Sequence, residues 1–305
     1  MTVASATSPD QADRKLGLFY VFMAGVLWST IGLCVRLMEE AVVWQILLYR
    51  SASLSIFLYI VIRLRTGASP FAQLRRTGWP AVIAGLSLVA AYAGGIFAIQ
   101  STSVANAMLL FASAPFMAAV LGWIVLREPV RWATWGAIAV AILGVGVMVA
   151  GEKGTGAMVG NLAALGSAFG FAVFTVALRW GRSTEMLPSV FLSGVFGVVI
   201  MGAVCLMSGL PMVLSLNDGG IAVGMGVFQV GAGLILYTLG SRSLPAAELT
   251  LLSLAEVVLG PLWVWVFLGE TTGANTLIGG VILLGAIVGN AVSGMRRRPP
   301  PITSP

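Results

Sequence analysis

Histidine is absent from this sequence, and charged residues make up only 9% of its length. The absence of histidine excludes Ser-His and Cys-His catalytic dyads, and it removes the commonest ligand of zinc sites. Soluble domains carry about 25% charged residues, so the scarcity of charge excludes an ordinary soluble domain. The sequence also has no Walker motif, which argues against a chain that drives transport with ATP by itself. We therefore expect no enzyme, no metal site and no organic cofactor.

Cysteine is scarce as well, because only Cys34 and Cys205 occur, and both lie within apolar runs. We expect two buried, reduced thiols, with a disulfide between them as the alternative. Residues 1–15 are polar, and no short apolar region with a cleavage site follows them, so we expect no removable signal peptide. The net charge of +6 does not indicate nucleic-acid binding, because the positive residues fall between apolar runs.

Apolar residues are abundant: 58% of the sequence is hydrophobic, and its mean hydropathy is +0.99. A helix that crosses a bilayer needs about 20 apolar residues. Ten such runs occur, which predicts an all-α polytopic protein embedded in a lipid bilayer. The 38 glycines fit this class, because membrane helices pack through small residues. The predicted spans are Leu16–Leu37, Val42–Leu64, Trp79–Ile99, Ser103–Leu126, Trp132–Ala150, Gly160–Trp180, Leu187–Ser208, Gly219–Ser241, Ala246–Leu268 and Thr276–Met295.

The positions of lysine and arginine predict the orientation, since these residues favour the cytoplasmic side. With the N-terminus in the cytoplasm, fourteen of them lie at cytoplasmic helix ends. Only Arg36 and Lys153 lie at outer ends, while Arg50 falls inside the second span. This asymmetry predicts a multi-pass protein of the inner (plasma) membrane with both termini in the cytoplasm. The fourteen are Arg14, Lys15, Arg63, Arg65, Arg75, Arg76, Arg127, Arg131, Arg179, Arg182, Arg242, Arg296, Arg297 and Arg298.

The two halves of the chain share a weak internal repeat. The helix ending that contains Trp123 and Glu128 reappears 142 positions later at Trp265 and Glu270. Weaker matches follow in the same order along both halves, which predicts a duplication. The predicted parts are a first five-helix repeat at residues 16–150, a second at residues 160–295 within one integrated membrane domain, and tails at residues 1–15 and 296–305.

Five is an odd number of helices, so the second repeat must enter the membrane upside down. The charges agree, because Arg36 falls outside and the aligned Arg179 falls inside. Inverted repeats are common in secondary transporters, whose substrate site lies near the midplane between the halves.

Several motifs of the chain together match a known family. They are GWIVLRE (Gly122–Glu128), VWVFLGE (Val264–Glu270), Trp28-Ser29, Arg50 and LSLAEVVLGPL (Leu252–Leu262). In these motifs the chain resembles the EamA-type branch of the drug/metabolite transporter superfamily, and the resemblance covers all ten spans. It implies a bundle of two inverted five-helix repeats around a central cavity, and a function in exporting or exchanging small metabolites, amino acids or xenobiotics.

Glu256 lies at the centre of the ninth span and is the leading candidate for function. A charge at this depth is costly, so such a side chain usually faces protein or a water-filled cavity. If Arg50 contacts Glu256, the two form a permanent structural ion pair, and we rank this alternative first. If they are apart, Glu256 becomes a coupling candidate that carries a proton or holds an ammonium group, and Arg50 is free to bind a substrate carboxylate. Many relatives have proline directly after this acid, whereas this chain has Val257 there.

Seven further residues are predicted to line the substrate cavity with Arg50 and Glu256. Most lie centrally in their spans, where polar side chains ordinarily hydrogen-bond between helices, so packing is the alternative for each. Trp263 lies nearer a helix end, where anchoring at the membrane interface is the alternative. Pro115 and Pro261 can loosen the backbone of the fourth and ninth spans, where a static kink is the commoner outcome and a hinge for alternating access is the alternative. The seven residues are Trp28, Ser29, Tyr92, Ser113, Gln229, Ser253 and Trp263.

These features predict a secondary transporter that exports small organic metabolites by alternating access, with amino acids or their analogues, aromatic ones included, as first candidates. A proton- or substrate-exchange importer of the same superfamily is the alternative. An intramembrane lipid-modifying enzyme or protease, and a passive channel, are more distant, since the sequence has no paired intramembrane aspartates and no filter-like repeat. We expect a small-molecule substrate, a lipid bilayer, no nucleic acid, and a monomer or weak homodimer.

Overall fold

The fold is that of a helical membrane protein. A computed structural model of the chain describes residues 9–151, 155–181, 186–241, 243–244 and 246–295. Ten helices in this part are long and apolar enough to cross a membrane, and the described residues contain no strand. The predicted fold class, an all-α protein with ten membrane helices, is confirmed.

The ten helices follow the predicted spans closely, and a short connecting helix, Pro70–Thr77, lies between the second and third. Three of them, α1, α4 and α8, are made of more than one segment. The helices are α1 (Pro9–Ser29 and Ile31–Arg36), α2 (Val43–Thr66), α3 (Trp79–Ser101), α4 (Val104–Phe111 and Ala114–Leu126), α5 (Trp132–Gly151), α6 (Thr155–Trp180), α7 (Leu187–Met207), α8 (Leu216–Gly224, the π-helical Met225–Ala232, and Gly233–Gly240), α9 (Ala246–Leu268) and α10 (Ala274–Met295).

The two intramembrane prolines have different effects on their helices. Pro115 stands in the first turn of the second segment of α4, directly after the break at Ala112 and Ser113. A proline lacks the backbone N–H and fits the first turn of a helix, so the break in α4 agrees with the expectation. Pro261, in contrast, lies inside α9, which runs unbroken from Ala246 to Leu268. The chain therefore breaks beside Pro115, whereas the helix continues past Pro261.

The main contacts between helices follow the symmetry of the repeat, which relates α1–α5 to α6–α10 in order. Where two helices make one of these main contacts, their counterparts are in contact as well. The most extensive contacts join α3 to α6, α5 to α10, and α2 to α7, and α1 packs on α8 as α6 packs on α3. In the same way, α1 packs on α9 and α6 packs on α4. This is the pattern expected of two inverted five-helix repeats.

Two ends of the bundle can be distinguished. We call the end where α1 begins and α10 finishes the terminal end, and the opposite one the far end. The far end contains Arg36, the start of α2 and the start of α8. The midplane between these ends is where the sequence places its candidate site.

Candidate functional site

Glu256 lies in the middle of α9, on a part that packs against α1. A Cβ added at Gly25 of α1 would approach the backbone nitrogen of Glu256 to 3.8 Å. The side chain is half-buried, and it lies close enough to Tyr237 of α8 to interact electrostatically with the phenol. Within the described part of the chain, Glu256 forms no ion pair and no hydrogen bond through its carboxylate. The ion pair between Glu256 and Arg50, which the sequence ranked first, is therefore not formed.

Aromatic and hydroxyl side chains of α1, α8 and α9 meet beside Glu256. The Trp28 ring packs on the Tyr237 ring with the centroids 5.4 Å apart. The indole Nε1 of Trp263 donates a hydrogen bond of 2.8 Å to the Ser29 hydroxyl, which donates in turn to the Val26 carbonyl oxygen at 2.7 Å. These contacts bring three predicted cavity residues together, and the half-buried Trp263 joins α9 to α1.

A second polar group lies between α2, α3 and α8. Arg50 is only 3% exposed, and its guanidinium carbon lies 4.3 Å from the centre of the Tyr92 ring. Gln229 is also buried, and its amide Nε2 donates to the Trp28 carbonyl oxygen at 3.4 Å, which links this group to the first. The side-chain oxygen of Gln229 has no hydrogen-bond partner among the described residues.

The two remaining predicted residues, Ser113 and Ser253, lie on α4 and α9. Ser113 is buried at the break in α4, where its hydroxyl donates to the Leu110 carbonyl oxygen at 2.7 Å and so satisfies part of the interrupted backbone. Ser253 is half-buried, one turn before Glu256 on α9. Ser113 thus lies at the break in α4, and both serines stay cavity predictions.

Polar contacts, which we call clamps, join the two repeats at both ends of the bundle. Between α1 and α9, Arg14 pairs with Glu248 at 2.8 Å at the terminal end. Arg36 pairs with Glu270 at 2.9 Å at the far end and also donates to the Thr102 carbonyl oxygen. Helices α1 and α9 are therefore joined by one clamp at each end of the bundle.

The repeat relates α1 to α6 and α9 to α4, and α6 and α4 are also joined by one clamp at each end. Arg179 pairs with Glu128 at the terminal end. Asn106 donates to Asn161 at the far end, where both residues are fully buried. The inverted repeat aligns Arg179 and Glu128 with Arg36 and Glu270, and the two ion pairs lie at opposite ends of the bundle. It also aligns Asn106 with Glu248, whereas Asn161 is not aligned with Arg14.

Comparison with known proteins identifies the repeat. The model of the EamA-like transporter family matches the chain twice, at residues 15–150 and 158–292. The chain belongs to the EamA-like transporter family. Like other members of that family, it is a membrane transporter built from two repeated halves.

Individual relatives of this EamA-like protein are distant. An uncharacterized transporter of Bacillus subtilis, YwfM, is 25% identical over 88% of this chain and 92% of its own length. Human solute carrier family 35 member G1 is 24% identical over 64% of this chain and 58% of its own length. A protein of known crystal structure superimposes with a TM-score of 0.63 at 20% identity, covering 93% of this chain and all of that one. The last comparison concerns the fold alone.

The structure of this EamA-like transporter also contains polar residues that the sequence did not single out. Asp218, at the start of α8, is fully buried and accepts hydrogen bonds from the backbone nitrogens of Glu39, Glu40 and Ala41. The sequence carried a signal for it, because Ser215 and Asp218 have the spacing of a helix capping box. Ser215 does cap the backbone nitrogen of Asp218 at 3.1 Å, but the carboxylate binds the α1–α2 loop instead of its own helix start.

A cavity of about 490 Å³ opens at the far end of the bundle, away from the predicted site. It lies between the ends of α3, α5, α9 and α10, and its lining is mainly small and polar. None of the nine predicted site residues lines it; the residues that do are Ser101, Thr102, Ser103, Gly151, Ala157, Thr271, Gly273, Ala274, Asn275 and Thr276.

Proposed function

We propose that this chain is a secondary transporter that exports small organic solutes by alternating access, with amino acids or their analogues as the first candidates. The observation that carries the proposal is the arrangement of the four clamps. Two lie at each end, every one joins one repeat to the other, and the polar groups between them in the middle of the bundle are not neutralised by one another.

In the proposed cycle, the two repeats rock about the middle of the bundle. Opening the far end separates Arg36 from Glu270 and Asn106 from Asn161, while the terminal-end clamps hold. Opening the terminal end does the reverse. With all four clamps closed, the present arrangement corresponds to an occluded form. Because inverted repeats are structurally equivalent, the same contacts can serve both halves of such a cycle.

Glu256 is the proposed coupling group at the midplane. The residue is half-buried and interacts electrostatically with Tyr237, whose ring packs on Trp28, and it has no cation partner among the described residues. A carboxylate in this position can hold a proton in one step and a substrate ammonium group in another, and an aromatic wall suits an ammonium group. We place the far end outside the cell, because the lysines and arginines cluster at the terminal end.

The test is transport by the purified protein in liposomes. We expect wild-type protein to exchange radiolabelled amino acids from a panel that includes L-phenylalanine and L-alanine, and to respond to a pH gradient. Glu256→Gln should transport more slowly and lose the pH response, since the amide cannot carry a proton. Glu40→Gln, on an exposed loop position, is the control and should behave as wild type.

Two outcomes would contradict the proposal. Unchanged, pH-responsive transport by Glu256→Gln would remove Glu256 from the mechanism. Turnover of a lipid or peptide without movement of any solute in the panel would rule out the assignment as a solute exporter.

A further inference from the structure

Arg50 is a buried cation that pairs with no carboxylate among the described residues. The residue is 3% exposed, and its Nε and Nη1 atoms have no hydrogen-bond acceptor among the described residues. Arginine stays protonated in proteins, so this charge cannot be removed by loss of a proton. A buried ion is strongly destabilising unless an opposite charge and hydrogen bonds compensate it. Something other than the described side chains must therefore supply the compensation.

The surroundings of Arg50 attract a cation but supply no hydrogen-bond acceptor to its Nε and Nη1 groups within the described part of the chain. The Tyr92 ring lies 4.3 Å from the guanidinium carbon, and a ring face attracts a cation without supplying the paired oxygen acceptors that a guanidinium binds. Cys34 of α1 lies close enough to interact electrostatically with Arg50. On the other side, a Cβ at Gly226 would overlap the Arg50 carbonyl oxygen, so α8 packs directly on this part of α2. The guanidinium is thus enclosed by protein, and none of the described carboxylates pairs with it.

We propose that Arg50 binds the carboxylate of the transported solute. A carboxylate on either edge of the guanidinium forms two parallel N–H···O bonds, one from Nη2 and one from Nε or Nη1. It supplies both the missing charge and the missing acceptors. This proposal rests on the proposed function and narrows it, because the solute is then an organic anion or a zwitterion rather than a neutral or purely cationic compound.

A lipid phosphate offers the same oxyanion chemistry, but the position of Arg50 favours a solute. Arg50 is the seventh residue after Val43, the first residue of α2, which places it about 10 Å along the helix from the far end. Its side chain is also almost completely covered by protein. A headgroup on the outer surface of the protein does not reach this depth, whereas a solute in the interior does.

The experiment measures the thermal unfolding midpoint of the purified full-length protein with matched probes. L-Alanine and L-phenylalanine are compared with their amides, which keep the ammonium group and lose the carboxylate, and acetate and inorganic phosphate are added as simple oxyanions. We expect at least one acid to raise the midpoint and its amide to leave it unchanged. Equal shifts for acid and amide would overturn the proposal.

Variants of Arg50 separate binding from a structural role. Arg50→Met removes an uncompensated charge and keeps a similar length, so we expect a midpoint without ligand at least equal to that of wild type and no shift with the acid. Arg50→Lys keeps the charge and loses the planar fork, which should weaken binding by about 10- to 100-fold. Arg65→Met, at an exposed position, is the matched control and should respond as wild type. Wild-type affinity in Arg50→Lys would contradict the proposal, and so would an acid-induced shift in Arg50→Met.

A third measurement needs no variant at Arg50. Phenylglyoxal modifies arginines that become accessible when one end of the bundle opens, so turnover between the forms of the proposed cycle exposes Arg50 to it. The extent of modification at Arg50 can be read by peptide mass spectrometry. The acid should slow modification of Arg50 and leave Arg65 unaffected, and equal rates at Arg50 with and without the acid would count against binding there. If phosphatidylglycerol nanodiscs protect Arg50 and phosphatidylcholine nanodiscs do not, the occupant is a lipid phosphate and the solute proposal fails.

Failure of the Arg50 proposal can be distinguished from failure of the proposed export function. If neutral solutes cross liposomes equally fast with wild-type and Arg50→Met protein, export stands and the role of Arg50 falls. If acids bind at Arg50 while no solute crosses the membrane, the role of Arg50 stands and export falls.

Discussion

At the scale of single residues, one buried carboxylate binds a loop at the far end of the bundle. Asp218 accepts three backbone hydrogen bonds of 2.9 to 3.1 Å from the loop between α1 and α2. Hydrogen bonds to an ionised acceptor are stronger than neutral ones, and this acceptor is fully buried. Asp218 therefore fixes the loop that follows Arg36, and with it the position of a clamp.

We predict that Asp218→Asn lowers the free energy of unfolding by about 2 kcal/mol or more, because the amide removes the charge and turns an N–H group toward backbone donors. Reversible unfolding in mixed micelles measures the change. Glu39→Gln is the control: the residue lies in the same loop, its side chain is exposed, and its replacement should have little effect. Equal stability of Asp218→Asn and wild type would show that the loop is held by other contacts.

The partners of charged residues mark the limit of prediction from the sequence. The depth of Arg50 and Glu256 followed from their positions within apolar spans, but their separation did not, because hydropathy carries no information about which helices are neighbours. The partners of Arg36 and Arg179, in contrast, could have been predicted from the sequence. The alignment already matched Arg36 with Arg179 and Glu128 with Glu270, and an inverted pair of contacts is what that symmetry requires.

At the scale of elements, the π-helical segment Met225–Ala232 distinguishes α8 from the other helices. It carries Gln229 and packs on α2, where a Cβ at Gly226 would overlap the Ser53 hydroxyl and the Arg50 carbonyl oxygen. Such segments are often found at functional sites. The spans themselves were predictable because a bilayer fixes their length, whereas a local change in helix type depends on contacts between distant segments and leaves no periodic signal in the sequence.

We predict that Gly226→Ala destabilises the protein by about 1–3 kcal/mol, because the methyl group forces α8 away from α2. Gly224→Ala is the matched control on the same helix. A Cβ at Gly224 meets no atom within 4 Å, so this variant should be neutral or slightly stabilising. Unfolding in mixed micelles compares the two, and equal effects would indicate that the contact between α2 and α8 is not tight.

At the scale of the whole molecule, the inverted repeat makes the two ends of the bundle equivalent. Arg36 and Glu270 at the far end correspond to Arg179 and Glu128 at the terminal end. The pairs are partly exposed, so each contributes modestly to stability. Their importance in the proposed cycle lies in the balance between two open forms, since weakening one clamp favours the form in which that clamp is broken.

We therefore predict opposite effects of Glu270→Gln and Glu128→Gln on access to Cys34, a half-buried thiol two residues before Arg36. Glu270→Gln should speed alkylation of Cys34 by a membrane-impermeant maleimide added at the far end, because it opens that end. Glu128→Gln should slow the reaction, because it shifts the population toward the form that is closed there. Cys205, which is fully buried, should stay unreactive in both variants and serves as the internal control. An acceleration of similar size in both variants would mean that the clamps only loosen the bundle, and it would contradict a rocking motion of two equivalent halves.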